Sequence, residues 1–92
     1  MAHPPHIVFL GAATMDMIFS VDRLPAKPGK VLPSALIQAA HGMATSAATA
    51  AARLGGKASL IARIGGDAMG DRFIAEVEAE GVDCSHVRRA PG

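Results

Sequence analysis

Short uninterrupted apolar runs alternate along the chain with longer helix-forming stretches, and glycine or proline stands at nearly every change between them. Residues 6–11 place Ile7, Val8, Phe9 and Leu10 in a row and end on Gly11, which suits a buried strand. Residues 17–21 read as a second strand rich in β-formers. The two prolines and the glycine of Leu24-Pro25-Ala26-Lys27-Pro28-Gly29 remove backbone donors and predict a loop. Residues 31–38 are extended again, but Pro33 cannot donate to a ladder and so predicts a sheet edge.

Beyond this point the period changes. Residues 43–54 are helical by propensity, and Gly55-Gly56 stops them. Alanine and threonine lie on nearly every side, without an amphipathic stripe, so this helix is expected to pack on more than one side. Residues 58–64 form a clear strand, and Gly65-Gly66-Asp67 turns the chain into a second helix over 68–80. There Met69, Phe73, Ile74 and Val77 share one face, Asp67 can cap the start and Gly81 ends it. A further strand begins shortly before Arg88. Strand, helix, strand and helix in succession predict an α/β fold with a parallel sheet, beside a small antiparallel β flap of residues 15–21 and 31–38.

With 92 residues, half of them apolar, one small domain with a thin core is the upper bound. A net charge of +1 supplies no excess that would favour nucleic acid or an anionic membrane, which leaves a small molecule as the expected partner. The single Cys84 excludes an internal disulfide and a cysteine-based zinc cluster. Neither a signal peptide nor a bilayer-length apolar run is present, so the expected location is the cytoplasm.

Candidate chemistry gathers at Asp16, Lys30 and the run from His41 to Gly55. A glycine turn leading into a helix with little side-chain bulk allows a ligand close to the backbone and leaves N–H groups free at the helix start. Gly11-Ala12-Ala13-Thr14-Met15-Asp16, the Leu24-Pro25 and Pro28-Gly29 pairs, Ala52-Arg53-Leu54-Gly55, Ile64-Gly65-Gly66-Asp67-Ala68-Met69-Gly70 and Glu80-Gly81-Val82-Asp83 follow one another in an order that resembles the opening third of ribokinase-like (PfkB) carbohydrate kinases.

The resemblance implies part of a three-layer ribokinase-like fold whose flap acts as a lid. It also implies ATP and Mg2+ as cofactors of the complete enzyme and a sugar as substrate. Asp16 then corresponds to the carboxylate that accepts sugar hydroxyls, with Gly42 and Ser46 beside it. Three positions depart from the family pattern. His41 stands where the first glycine of a Gly-Gly pair is usual, Ser46 where an asparagine is usual, and Lys30 where an acid often follows Pro-Gly. Serine keeps a hydroxyl but loses the two-sided pattern of an amide. Lys30 and the alanine- and threonine-rich helix resemble the sulfofructose kinase branch, which implies a phosphorylated or sulfonated ketose among the candidate substrates.

The family's catalytic base lies in a C-terminal motif of the type Asp-Thr-x-Gly-Ala-Gly-Asp, for which the 92 residues hold no counterpart. No catalytic, cofactor-binding or metal-binding residue is therefore assigned, and the isolated chain is expected to be inactive, as a truncated product or a partial gene. The other reading is a non-catalytic α/β module that binds a metabolite or forms a homodimer through its flap. Gly65-Gly66-Asp67 lacks the spacing of a dinucleotide loop, because Asp67 would repel a pyrophosphate. His3 and His6 are read as a terminal segment and Cys84 and His86 as structural residues. Met15, Met17 and Phe19 are read as strand packing, and Asp71, Arg72, Glu76 and Glu80 as a solvated helix face.

Overall fold

A computed structural model describes residues 3–91. The elements follow one another as β1 (His6–Leu10), β2 (Thr14–Ser20), β3 (Ala35–His41), α1 (Met43–Arg53), β4 (Lys57–Gly65), α2 (Ala68–Ala79) and β5 (Asp83–Ala90). Strands β1, β4 and β5 form a parallel sheet in the order β1-β4-β5, and β2 and β3 pair as a separate antiparallel flap. This is the predicted α/β architecture. Each parallel step crosses over through a helix, and both helices pack on the same face of β4.

The core lies between that face and the helices. Ala58, Leu60 and Ala62 point inward from β4 to meet Ala44 and Ala48 of α1 and Phe73 and Val77 of α2. Phe73 and Leu60 are completely buried. Alanines of α1 and the larger Phe73 and Val77 of α2 face the sheet. Val8, Leu10 and Ile61 stand on the opposite face of the sheet and are exposed.

The predicted many-sided packing of α1 does not occur. Its buried residues, Ala44, Thr45 and Ala48, lie on one side, whereas Met43 and Leu54 at its ends are almost fully exposed. Spacings of three and four among small side chains make a stripe that hydropathy cannot distinguish from the other alanines. The return strand of the flap is also displaced, running over 35–41 instead of 31–38. Pro33 has no N–H, and the first ladder contact comes one residue later, where the Ser34 N–H donates to Ser20 O at 2.8 Å. The strand continues to His41 because Ala39, Ala40 and His41 have partners in Asp16, Met15 and Thr14.

Met15, Met17 and Phe19 share one face of β2, but only its first part lies over the core. Met15 packs against the core, but Met17 and Phe19 remain exposed on the flap. Asp71 and Arg72 are exposed, as expected of a solvated face, while Glu76 and Glu80 are half-buried, and all four make contacts. Arg72 donates to Gln38 Oε1 at 2.5 Å, Glu76 accepts the Ala40 N–H, Glu80 takes two hydrogen bonds from Arg53, and Asp71 accepts from Arg89 at 2.8 Å. Through them α2 is tied to β3, α1 and β5.

Candidate functional site

The carboxyl end of β1 runs through Gly11-Ala12-Ala13 into β2, and the start of α1 packs directly on this turn. A Cβ on Gly11 would come within 2.9 Å of Ala44 Cβ, and Thr45, fully buried, donates its hydroxyl to Ala12 O at 3.0 Å. Gly42 closes the junction from β3 into α1 with φ +106°, and any side chain there would collide with Ala12 O. Only glycine fits both conditions. Ligands of open parallel sheets bind beyond the carboxyl ends of the strands, where this junction stands.

Asp16 lies next to it on β2. Thr14 and Asp16 share a face of the flap, and the ladder pairs Thr14 with His41, which puts His41 diagonally across from Asp16. The Thr14 hydroxyl donates to Asp16 Oδ1 at 2.9 Å, and His41 Nδ1 lies 2.9 Å from Asp16 Oδ2. With a carboxylate as acceptor, Nδ1 carries the proton. The His41 hydrogen bond, and after it the one from Thr14, holds the Asp16 carboxyl below the usual carboxylate range. The side chains of Asp16 and His41 are 45% and 43% exposed, so the pair is ordered yet accessible.

Ser46 is tied to the junction by its N–H, which donates to Gly42 O at 2.8 Å. Its side chain lines an open groove of about 730 Å3 between β3, α1 and α2, together with His41, Thr49, Arg53 and Glu76. Asp16, His41, Gly42 and Ser46 are thus brought together around one junction. Lys30 is not. It sits in the exposed loop between β2 and β3 and makes no hydrogen bond or ion pair with the described residues.

The turn before α2 is built as a cap. Asp67 Oδ1 accepts the Gly70 N–H at 2.9 Å, while Arg89 donates to Gly65 O, Asp67 O and Asp71 Oδ1. A carboxylate already occupies the helix start, so the turn does not fit a nucleotide phosphate. Burial pushes the Cys84 thiol up to about 11, which makes it a poor nucleophile. Among the described residues no three His, Cys, Asp or Glu side chains gather to hold a metal ion, and no helix is long and apolar enough to cross a membrane.

Thr14 and His41 were the partners that sequence reasoning missed. A Thr-x-Asp spacing on a strand was available as a signal for Thr14. His41 stood out only as the replacement of a glycine, because its pairing with Asp16 depends on a register set across the flap.

Residues 4–92 match the pfkB family carbohydrate kinase. A ribokinase from Haemophilus influenzae is 35% identical over 82 residues, covering 88% of this chain and 26% of the ribokinase. A crystal structure from Agrobacterium tumefaciens, provisionally described as a ribokinase, superposes with a TM-score of 0.88 at 42% identity, over 98% of this chain and 29% of that one. The Arabidopsis thaliana ribokinase complexed with ribose and ATP superposes with a TM-score of 0.73 at 28% identity, over 99% of this chain and 30% of that one. The chain spans about a quarter of the length of the curated relatives it matches.

Proposed function

The chain belongs to the pfkB family of carbohydrate kinases, and from that premise we propose that it supplies the sugar-recognition part of an ATP-dependent kinase that phosphorylates a sugar hydroxyl. The observation that carries this reading is an ionised, half-exposed Asp16 held at the carboxyl end of β1. Its carboxylate has acceptor positions to spare for two neighbouring sugar hydroxyls. Gly42 lets the ligand approach the backbone, and Ser46 offers one hydroxyl. The ribose complex of the Arabidopsis relative supports a sugar as the ligand class.

Phosphoryl transfer also needs a base for the hydroxyl proton and a metal-bound nucleotide. ATP with Mg2+ and the base are proposed to come from outside these 92 residues, which alone would bind sugar in the cytoplasm without turning it over. Lys30, in the exposed loop of the flap, is proposed to meet the anionic group of a phosphorylated or sulfonated ketose, as in the sulfofructose kinase branch. The flap supports a second role in homodimer formation, since Ile18, Phe19, Leu36 and Ile37 leave both of its sides apolar and exposed. If that were the whole function, the chain would be a non-catalytic dimerisation module.

Calorimetric titration of the folded chain with neutral, phosphorylated and sulfonated ketoses and with ribose tests the reading. Saturable binding that requires Asp16 is expected. Absence of binding by a folded, dimeric chain would replace the kinase reading with the module.

A further inference from the structure

The Asp16 carboxylate receives a hydrogen bond from each side, from Thr14 on Oδ1 and from His41 on Oδ2. We propose that His41 is a positioning residue, which locks the Asp16 carboxylate so that its remaining lone pairs face an incoming polyol. The inference rests on the reading of Asp16 as a sugar contact.

The backbone fixes where the His41 side chain leaves the strand. On one side His41 is the last residue of the β3 ladder, paired with Thr14. On the other it adjoins Gly42, whose conformation is set by the close approach of Ala12 O. Its Cβ is therefore held on the Asp16 side of the flap, and the hydrogen bond to Oδ2 selects the rotamer that faces the carboxylate. A free aspartate on a strand would sample several rotamers, and ordering it would reduce affinity. With one lone pair on each oxygen already engaged, the other positions on Oδ1 and Oδ2 are left for ligand hydroxyls.

The carboxylate adds a constraint on the ligand. With the Nδ1–H directed at Asp16, Nε2 points away from Oδ2, and no described residue hydrogen-bonds to it. The ionised carboxylate itself offers lone pairs and no donor. A ligand must present O–H hydrogens here, and a phosphate or sulfonate group is repelled to another part of the site. Ser46, with a hydroxyl that both donates and accepts, lines the groove beside His41 and can serve a carbonyl or ring oxygen.

Calorimetry with D-ribose and D-fructose as probes, on the 92-residue chain and its variants, tests this once circular dichroism shows each to be folded. His41→Leu is expected to weaken binding at least about tenfold, in line with the loss of one hydrogen bond to a charged group. His41→Asn, which keeps an N–H donor near the position of Nδ1, should recover most of that loss. A second readout is the titration of the Asp16 carboxyl followed by NMR, which should shift upward in His41→Leu but not in His41→Asn. If His41→Leu binds as tightly as the wild type while Asp16→Asn abolishes binding, the positioning role is overturned and the sugar-contact reading of Asp16 stands. If Asp16→Asn itself changes nothing, or the folded wild type binds neither these sugars nor a phosphorylated or sulfonated ketose, the proposed function fails and this inference fails with it.

Discussion

The carboxylate of Glu76 on α2 accepts the backbone N–H of Ala40 on β3. This contact anchors the flap to the body of the fold at the segment leading into His41. Removing it by Glu76→Ala leaves a part-buried amide without its partner, a loss of about 1–3 kcal/mol. The amide of Ala40 should then exchange with solvent faster, by a factor of about ten or more. Hydrogen exchange resolved by residue measures this, and protection equal to the wild type would mean that the strand ladder alone secures β3.

Substitution of Asp16 tests its proposed part in ligand binding. Asp16→Ala removes an ionised acceptor and should weaken binding of a sugar by at least about tenfold, with little effect on the fold because the side chain is half exposed. Titration calorimetry on the folded variant checks the expectation. Unchanged affinity would remove Asp16 from the site.

Acid affects the same group in a direction that follows from its lowered carboxyl. The charged form is favoured in the folded state over the ordinary value of 3.8, first by His41 and then by Thr14. Glu80 is lowered by the hydrogen bond from Arg53, and Asp83 by the Ser85 N–H. Stability from these groups is fully present above the ordinary carboxylate values and is lost as pH falls through the lowered ones. Thermal unfolding should thus show a falling midpoint only below about pH 4. In Arg53→Ala the Glu80 carboxyl should titrate closer to 4.5, which NMR can follow.

Gly42 gives a backbone prediction. Gly42→Ala forces a side chain into a conformation nearly reserved for glycine and against Ala12 O, at a cost of at least about 1–3 kcal/mol. Gly55→Ala has a similarly positive φ, +93°, but meets open space. It should cost less, about 1–2 kcal/mol. Denaturant unfolding of both variants separates the close approach from the backbone strain, and equal losses would show that contact with Ala12 contributes nothing.

Much of the fold was legible because its boundaries are written in backbone chemistry. Gly11, Gly55-Gly56, Gly65-Gly66-Asp67 and Gly81 delimit β1, α1, β4 and α2 to within a residue or so. The extent of β3 was less legible, since Pro33 reports only where a ladder cannot begin. The one-sided packing of α1 was hidden by side chains of nearly equal size. In the site, Asp16 could be picked out by its place in a pattern, but the hydrogen bond from His41 joins residues 25 apart through a register that no local feature specifies. The contacts of the polar positions of α2 were hidden for a related reason, because their partners on β3, α1 and β5 are known only once the layers are assembled.

The hairpin connecting β2 and β3 closes at the Ser34 N–H to Ser20 O hydrogen bond, and every residue from 22 to 34 is exposed. Asp16 and His41 are therefore aligned by the ladder below this closure, independently of the length or sequence of the loop above it. Because loop-closure entropy rises only slowly with length, insertions or deletions around Lys30 would alter how far a cation extends over a ligand without moving the carboxylate beneath. The proposed recognition of hydroxyls by Asp16 and of a charged tail by Lys30 would thereby be separable traits, free to diverge at different rates within one lineage.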